Sequence, residues 1–447
     1  MKKFNLQFLS TIFPNYIQLD PEKEIHQISI DSRKEQQNQL FIPIIGERFD
    51  AHDFIPQAIE NGAVAILSSR QDIGQIPDDV TVFYVEDTTI ALQQLATSYR
   101  DLVNPVVIGV TGSNGKTTTK EIVASCLRGQ YNVWKTEGNL NNHIGLPLTV
   151  LSMEPNTDAL VAEMGMNSFG EIERLSHIVK PNYGIITNIG TSHIEHLGSR
   201  EGIAQAKLEI TAGFNDSSVL IIDGDEPLIT QPRQFKQLTC GFSSQNDYSI
   251  TDVSLNDHST VFNVNGSSYE IPLLGSHQAK NATFALALCD SLGLNAGDIK
   301  QNLTQLSLPS MRFEQQEGLN GSTIINDAYN ASATSMIASI DVIKHMDYNK
   351  KIVVLGDILE LGEFSKEEHY KVGQAIDSNI DYVLTIGEES QYILEGLPIN
   401  YKGVQKHFED KKTMSNYIKD MIDSDTVVLL KASRGLQLEE VAEQLKM

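Results

Sequence analysis

Apolar and polar positions alternate in short blocks along this chain, and the blocks predict an α/β protein. Residues 25–30 alternate as a half-buried strand does, and 63–67 form an apolar run after the turn signal Asn61-Gly62. Residues 88–102 repeat apolar positions at helical spacing. Apolar runs typical of buried strands recur at 106–110, 159–162, 184–187 and 219–222, with helical stretches between the earlier ones. Strands that alternate with helices predict a parallel sheet covered on both faces.

The pattern breaks at Asn104-Pro105 and resets near Leu308-Pro309, which predicts three domains at residues 1–103, 104–308 and 309–447. After the second break, strands are predicted at 323–325, 351–355, 382–386 and 426–430, with helical segments between them. A polar cluster follows each of these later strands. Open α/β sheets bind ligands at that edge, so a ligand site is expected there.

Composition narrows the protein class. A chain of 447 residues is too long for one hydrophobic core, and 40% hydrophobic with 21% charged residues is typical of globular proteins. No apolar run reaches about 18 residues, and the first residues lack the pattern of a signal peptide. The three widely spaced cysteines form no metal or redox motif and favour a reducing compartment, so a cytoplasmic protein is predicted. The net charge of −24 argues against a nucleic-acid scaffold.

The strongest motif is Gly109-Val-Thr-Gly-Ser-Asn-Gly115-Lys116-Thr117-Thr118-Thr119, between a predicted strand and a predicted helix. Glycines let backbone N–H groups turn around an anion, and the helix N-terminus adds its positive dipole end. Lys116 can neutralise the outer phosphates of a nucleotide, and the Thr117 hydroxyl can ligate Mg²⁺. The strict P-loop pattern is not met, because Val110 stands where its first glycine would be. An ordinary strand–helix turn is the alternative, and the registered glycines, lysine and threonine disfavour it.

Three further residues have both a functional and a structural interpretation. Glu163 follows a predicted strand; alone it would be a surface carboxylate, but beside a phosphate loop it is a candidate Mg²⁺ ligand. His193 and His196 lie three residues apart, which favours one functional and one packing histidine over two metal ligands. Lys207 lies in a helical stretch, where a solvated lysine is the ordinary interpretation.

These segments together resemble one enzyme family. The runs TGSNGKTTT, EMG, TNIGTSHIEHLGS and AKLEI resemble the central domain of the Mur ligases and folylpolyglutamate synthetases. Gly275-Ser-His-Gln-Ala-Lys-Asn281 is similar to their adenine-contacting segment, and Ser310-Met-Arg312-Phe-Glu314 to the arginine segment that opens their third domain. The resemblance runs from about residue 25 to about residue 440. It implies a UDP-binding N-terminal domain, a P-loop ATPase domain and a Rossmann-like C-terminal domain.

Within the family, the chain resembles the branch that adds D-alanyl-D-alanine to UDP-N-acetylmuramoyl-tripeptide. The similar segments are Asp327-Ala-Tyr-Asn330-Ala-Ser, Gly356-Asp-Ile-Leu-Glu360-Leu-Gly-Glu363, Lys431-Ala-Ser-Arg434-Gly, Asp31-Ser-Arg33, Leu40-Phe-Ile-Pro and His52-Asp53-Phe54. The Asp-Asn-Pro-Arg motif of the diaminopimelate-adding branch is missing. Two positions depart from the pattern: Ala331-Ser332-Ala333 stands where Ala-Asn-Pro is usual, and Gln278 where Asn is usual.

The resemblance implies an ATP-dependent amide ligase that activates a carboxylate as an acyl phosphate. Lys116, His193, Lys207 and Arg312 are then catalytic. One Mg²⁺ is held by Thr117 and Glu163, and a second by His193 and a carbamylated Lys207, against the ordinary interpretation of that lysine. ATP is contacted by Thr111, Gly112, Ser113, Asn114, Gly115, Lys116, Thr117, Thr118, Asn281, Arg312 and, at the ribose, Asp327. Ser32 and Arg33 are expected to bind the UDP-sugar, and Asn139 to line the acceptor side, unless these are polar surface positions. A monomer is expected.

Other functions stay open at this point. A sister ligase or a folylpolyglutamate-type enzyme would add a different amino acid, and the UDP-type segments and Asp327-Ala-Tyr-Asn330 argue against both. A P-loop protein that uses ATP for switching or transport would hydrolyse ATP without an acceptor amine. An inactive binding relative is disfavoured by the intact Lys116, Thr117, Glu163 and Lys207. Whether the tripeptide ends in lysine or diaminopimelate is not encoded in these motifs.

Overall fold

The computed structural model describes residues 4–447 as two compact units, each built from separated stretches of chain. The first unit contains the residues up to Thr111 together with 127–184 and 209–220. The second contains 112–126, 185–208 and 221–447. Glu163, Asn139, Ser32, Arg33 and Thr111 therefore belong to the first unit, and the other predicted site residues belong to the second.

Both units contain β-sheets. Within residues 4–447, the strands β1 to β22 are, in chain order, Phe4–Asn5, Tyr16–Ile17, Glu24–Ile25, Gln27–Ser29, Gln39–Phe41, Ala63–Ser68, Thr81–Tyr84, Val106–Thr111, Val133–Lys135, Ala159–Glu163, Tyr183–Ile186, Val219–Asp223, Lys236–Gly241, Tyr248–Leu255, Thr260–Val264, Ser267–Ile271, Glu314–Glu317, Thr323–Asn326, Lys350–Gly356, Tyr382–Ile386, Val404–Phe408 and Thr426–Lys431.

Helices connect most of these strands. In the same residues, the helices α1 to α15 are Leu6–Ile12, Ile55–Glu60, Thr88–Val103, Lys116–Leu127, Gly145–Leu151, Glu171–Val179, Ile194–Leu197, Arg200–Leu208, Ser276–Ser291, Ala296–Thr304, Ala333–His345, Ser365–Gln374, Gln391–Glu395, Lys411–Lys419 and Glu439–Leu445. In this part of the chain, none of them is both long enough and apolar enough to span a membrane.

The first unit is organised around parallel strand pairs. A five-stranded sheet has the order β2-β7-β6-β5-β4, parallel except for β2 at its edge. Its core includes Phe41, Ile55 and Ile66. Strand β10 pairs in parallel with β8 on one side and β9 on the other. Parallel pairing places the ends of β8 and β10, Thr111 and Glu163, at the same edge.

Helix α3 ends at residue 103, where the apolar pattern of the sequence breaks. The Asp87 carboxylate caps its start by accepting from the N–H groups of Thr89 and Ile90. Its other end is Asn104 in the left-handed conformation, and Pro105 follows, which disfavours further helix. Between these signals, one face buries apolar side chains, including Leu92 and Leu95, so pattern and caps agree.

The second unit contains a six-stranded sheet of order β17-β18-β22-β19-β20-β21, parallel except for β17. Its core includes Ile352, Val428, Leu430 and Met414. Strands β18, β22 and β19 are neighbours, so the loops that follow them share one edge of the sheet. The same unit contains β13 to β16, of which β14, β15 and β16 pair antiparallel.

Most predicted strands are confirmed, one predicted strand is wrong, and three strands were not predicted. Residues 25–30 are not one strand: β3 pairs with β1 and β4 pairs with β5, with His26 between them. The antiparallel strands β14 to β16 were not predicted, because their half-exposed, polar-rich sequences lack a buried apolar run. The sheets are therefore mixed, with parallel strands in the majority of the pairs described above.

Candidate active site

The phosphate loop, residues 111–118, has a backbone that only glycine can adopt at two positions. Gly112 has φ +149°, and a Cβ there would lie 1.8 Å from Thr187 Oγ1. Gly115 has φ +77°, and a Cβ there would lie 2.7 Å from Asn281 Oδ1. Any side chain would therefore displace the loop from its neighbours.

The segment after β11, residues 187–190, holds this loop in shape. Asn188 accepts from Ser113 N–H through its carbonyl (3.1 Å) and from Asn114 N–H through Oδ1 (3.0 Å). The Thr187 hydroxyl donates to the Asn114 carbonyl (2.5 Å). The Thr-Asn-Ile-Gly segment thus supports the phosphate loop in addition to leading towards His193.

The interior of the loop suits an anion. The Lys116 ammonium folds back and donates to the Gly112 carbonyl at 2.8 Å, so its charge lies over the loop. Asn114 Nδ2 is buried and has no hydrogen-bond partner among residues 4–447. A buried donor without a partner is unfavourable, and a phosphate oxygen would satisfy it. These residues fit a nucleotide phosphate.

Arg312 reaches the loop from 195 residues away in the chain. Its Nη2 donates to the Thr117 hydroxyl at 3.0 Å, and its guanidinium stacks on the Tyr329 ring, with the Arg312 Cζ 4.0 Å from the ring centroid. Met311 and Phe313, on either side, have left-handed backbones with φ of +59° and +53°. Such conformations are unfavourable for large residues and concentrate at functional sites.

Asp327 anchors the arginine segment. Its Oδ1 accepts from Phe313 N–H at 3.1 Å, and its Oδ2 accepts from the Ser339 hydroxyl at 2.7 Å and the Lys431 ammonium at 2.6 Å. A carboxylate has about four acceptor positions, so one remains for a ribose hydroxyl. The predicted ribose contact stays a prediction, and the structure adds an anchoring role.

Asn281, predicted to contact adenine, is 6% exposed near the start of α9. Its Nδ2 donates to Gln278 Oε1 at 3.0 Å. The unusual Gln278 therefore orients the Asn281 amide. The other departure, Ser332, caps α11 by accepting from Ser335 N–H and donates to Asn114 Oδ1 at 2.9 Å.

His193 lies at the start of α7 in the left-handed conformation, with φ +64°. Its Nδ1 lies 2.5 Å from Oε2 of Glu360, which also has a left-handed backbone, with φ +62°. This contact lowers the pKa of the Glu360 carboxyl, because the carboxylate is favoured beside the imidazole ring.

Lys207 is 2% exposed, so its predicted position in a helix is confirmed but its ordinary interpretation as a solvated lysine is wrong. Burial first, and then the nearby Lys116 cation, hold the pKa of the Lys207 amine well below its usual range. Among residues 4–447, no carboxylate forms an ion pair with this amine. A buried neutral amine is the form that reacts with carbon dioxide.

In the first unit, Glu163 ends β10 as predicted. Its Oε1 accepts from Asn141 Nδ2 at 2.9 Å, and the Thr111 hydroxyl donates to the next carbonyl, of Met164, at 2.9 Å. Asn139 is exposed in the preceding loop. Asn141 orients the carboxylate, a role that the sequence analysis missed, and the expected place of Asn139 on the acceptor side stays a prediction.

The N-terminal candidates are a turn with one buried and one exposed member. The Ser32 hydroxyl donates to Gln57 Oε1 at 2.8 Å. Arg33 is 80% exposed at its side chain and pairs with both oxygens of Asp31, at 2.8 and 2.9 Å. Hydrogen bonds from Arg33 lower the pKa of Asp31 to about 2. Arg33 therefore presents part of its guanidinium to solvent.

Three family models match consecutive segments of the chain. They are described as Mur ligase family, catalytic domain (residues 24–100), Mur ligase middle domain (110–289) and Mur ligase, glutamate ligase domain (311–434). A UDP-N-acetylmuramoyl-tripeptide–D-alanyl-D-alanine ligase of Bacillus subtilis is 45% identical over 94% of this chain and 93% of its own. The chain belongs to the Mur ligase family.

Other relatives of this Mur ligase agree with that assignment. The enzyme of the same name from Escherichia coli is 35% identical over 94% of this chain and 93% of its own. A crystal structure of MurF from Acinetobacter baumannii has a TM-score of 0.91 and 30% identity, covering 100% of this chain and 99% of that one. A MurF ligase from Thermotoga maritima, in complex with ADP, has a TM-score of 0.84 and 30% identity, covering 94% and 96%.

The family assignment confirms the predicted α/β fold with three Mur ligase domains. Within its second unit, the ligase brings together Gly112, Ser113, Asn114, Gly115, Lys116, Thr117, Asn281 and Arg312 around the phosphate loop. In residues 4–447, no three His, Cys, Asp or Glu side chains form a cation site by themselves. Sequence reasoning missed Tyr329, Asn141 and the role of Glu360, since these depend on tertiary contacts.

Proposed function

We propose that this Mur ligase joins D-alanyl-D-alanine to UDP-N-acetylmuramoyl-tripeptide with hydrolysis of ATP, which forms the pentapeptide precursor of peptidoglycan. The relatives at 45% and 35% identity, aligned over most of both chains, have that name. The observation that carries the proposed chemistry is the contact of Arg312 with Thr117, because it places a second cation at the phosphate loop. A cytoplasmic location belongs to the same proposal, since ATP and UDP-linked precursors are cytoplasmic metabolites. A monomeric state is proposed as well.

The first proposed step is phosphoryl transfer. A carboxylate oxygen of the tripeptide attacks the γ-phosphorus of ATP, and the bond from that phosphorus to the ADP oxygen breaks. Lys116 and Arg312 neutralise charge on the transferring group, and Asn114 donates to it. Charge neutralisation and positioning account for most catalysis of phosphoryl transfer. Tyr329 restricts the Arg312 guanidinium to one plane, which prepares it for that contact.

In the second step the amine of D-alanyl-D-alanine attacks the acyl carbon. The tetrahedral intermediate collapses as phosphate leaves with the electrons of the carbon–oxygen bond, and the amine loses a proton. Water could hydrolyse the acyl phosphate, so the site must exclude it. Residues 327–332 and 431–434 follow β18 and β22 at the edge where open α/β sheets bind ligands.

The candidate side chains supply oxygen and nitrogen donors for two magnesium ions. We propose that Thr117 and Glu163 hold one Mg²⁺ and that His193 and a carbamylated Lys207 hold a second. Bound Mg²⁺ would neutralise phosphate charge during transfer. The buried Lys207 amine gains a carboxylate by forming a nitrogen–carbon bond to carbon dioxide and losing a proton. This converts an amine, which in its protonated form would repel the metal, into an oxygen ligand.

Substrate positions complete the proposal. Ser32 and Arg33 bind the UDP-sugar, Asn139 lines the acceptor side, Asn281 contacts adenine and Asp327 the ribose. The exposed part of the Arg33 guanidinium is available for a diphosphate even while Asp31 holds the other part. In Arg33→Ala, binding of the UDP-precursor should be lost while ADP binding is retained. Unchanged precursor binding would remove Arg33 from the site.

The test is phosphate release from ATP with Mg²⁺, UDP-N-acetylmuramoyl-tripeptide and D-alanyl-D-alanine, each omitted in turn. We expect release only when both co-substrates are present, together with the mass of the pentapeptide product. Parallel reactions with tripeptides that end in lysine or diaminopimelate identify the natural acceptor. Phosphate release without either co-substrate and without a new amide would contradict ligation and favour an ATP-driven switch.

A further inference from the structure

We infer that Glu360 is a positioning residue for His193: its carboxylate holds the imidazole through Nδ1 and so presents Nε2 as the metal-binding nitrogen. The inference rests on the proposed function, which makes His193 a magnesium ligand. The carboxylate comes from the 356–371 segment after β19, whereas the histidine follows β11, so two distant parts of the chain build one ligand group.

The central observation is the 2.5 Å separation of His193 Nδ1 and Glu360 Oε2. A metal-binding histidine usually has its second ring nitrogen held by a carboxylate or a carbonyl, which fixes the ring orientation and raises its basicity. With Nδ1 facing the Glu360 carboxylate, Nε2 on the far side of the ring is the nitrogen available to a metal.

Backbone conformation at both residues indicates a role beyond surface pairing. His193 and Glu360 each have a left-handed backbone, with φ of +64° and +62°. Such conformations are unfavourable for non-glycine residues, whereas a partly exposed ion pair stabilises a fold only slightly. The pair alone does not offset two strained residues, and strain of this kind concentrates where function requires a fixed geometry.

The segment that carries Glu360 is held rigidly. The Asp357 carboxylate accepts from the N–H groups of residues 388, 389 and 390 at 2.7–3.0 Å. Ile358 N–H donates to His369 Nε2, and Leu359 N–H donates to the Ser433 hydroxyl, both at 2.9 Å. Because the three residues before it are fixed, Glu360 has a defined position from which to hold the ring.

One further hydrogen bond and one close approach join the same segments. The Thr191 hydroxyl donates to Glu368 Oε2 at 2.5 Å, and a Cβ at Gly362 would lie 3.0 Å from Glu195 Cγ. These contacts hold the segments together without touching the imidazole. They make it possible to separate an effect of Glu360 on the ring from a general loosening of this interface.

The experiment measures Mn²⁺ affinity by electron paramagnetic resonance in the full-length protein with ADP, without acceptor or amine. Glu360→Gln should weaken Mn²⁺ binding by about 10- to 100-fold, the range found when outer-shell partners of metal ligands are removed. Glu363→Gln, the same charge change on an exposed neighbour, should bind as the wild type does. Thr191→Val removes the neighbouring contact and should also retain affinity.

A double-mutant comparison identifies the route of the effect. If Glu360 acts through the ring, Glu360→Gln should cause no further loss of Mn²⁺ affinity once His193 is replaced by Ala. Wild-type Mn²⁺ affinity in Glu360→Gln, or an equal loss in Thr191→Val, would overturn the inference. The ligase assay on the wild type is independent of these measurements, so failure of the proposed function would be seen separately. Circular dichroism confirms that each variant is folded.

Discussion

Gly115 lies where the phosphate loop passes close to helix α9. A Cβ would approach Asn281 Oδ1 to 2.7 Å in a backbone conformation that side chains rarely adopt. Both the loop and the Asn281 amide would have to move, so one added methyl group affects two predicted contacts with the nucleotide.

Gly115→Ala should therefore lower ADP affinity at least tenfold and destabilise the fold by about 1–3 kcal/mol. Isothermal titration calorimetry and thermal unfolding measure the two effects. Gly129→Ala is the matched control, because Gly129 has a similar φ of +85° with open space around it. It should lose stability from backbone strain and bind ADP normally. Equal ADP affinities in the two variants would contradict the crowding argument.

Tyr329 contributes its ring face, not its hydroxyl, to the Arg312 site. Tyr329→Phe should therefore retain kcat/KM for ATP in the ligase reaction. Tyr329→Ala should reduce it by about 2- to 30-fold, the equivalent of a cation–π contact of about 0.5–2 kcal/mol. Steady-state kinetics at saturating co-substrates provide the measurement, and a loss in Tyr329→Phe as large as in Tyr329→Ala would show that the hydroxyl matters instead.

At the scale of elements, the start of α9 contains a half-buried titratable group, His277. Burial lowers the pKa of His277 to about 4; the carboxylates of Asp327 and Asp341 act in the opposite direction, while Lys431 adds to the lowering. The unfolded chain would bind the proton at a pKa near 6.5, so protonation favours unfolding. Above pH 6.5 the histidine is neutral in both states and this penalty on folding is absent. As the pH falls towards 4, the penalty grows and the free energy of unfolding decreases.

The expected loss from His277 is about 3 kcal/mol between pH 7 and pH 4. His277→Gln removes this titration, so its unfolding free energy should fall less steeply across that window than that of the wild type. Denaturant unfolding at several pH values from 7 to 4 measures both slopes, and the difference cancels the groups that titrate in both proteins. Parallel slopes would contradict a lowered pKa of His277 in the folded protein.

Elements were predictable where local signals agreed. Helix α3 has an apolar face, an Asp87 cap and the Asn104-Pro105 stop, so its bounds follow from the sequence. The strand predicted at 25–30 was wrong because its two halves pair with different strands, which only the tertiary fold determines. The strands β14 to β16 were missed because they are antiparallel and half exposed.

The site was predictable to a similar extent. Gly112, Gly115 and Lys116 follow from a short motif whose chemistry is local. The Glu360–His193 and Tyr329–Arg312 pairs join residues far apart in the chain, and no spacing rule reports such pairs. Lys207 is buried, whereas its position in a helix suggested a solvated lysine. The family resemblance, not the local pattern, identified Lys207 as a site residue.

At the scale of the whole molecule, we expect the domains proposed at 1–103, 104–308 and 309–447 to close together when ATP and the UDP-precursor bind. Small-angle X-ray scattering should show a smaller radius of gyration when a non-hydrolysable ATP analogue and the UDP-precursor are both present. The physical reason is that the acyl phosphate must be shielded from water. An unchanged radius with both ligands would contradict closure, and the precursor alone serves as the control.

The three cysteines, Cys126, Cys240 and Cys289, are all buried. Contact with Cys289 and burial raise the pKa of the Cys126 thiol, and burial raises that of Cys240, so neither reacts readily as a thiolate while the protein is folded. The wild-type ligase is therefore suited to site-specific fluorescent labelling: surface cysteines can be added one per domain without first removing the natural ones. Energy transfer between two such dyes would follow domain movement during turnover, and slow reaction of the natural thiols would report transient unfolding.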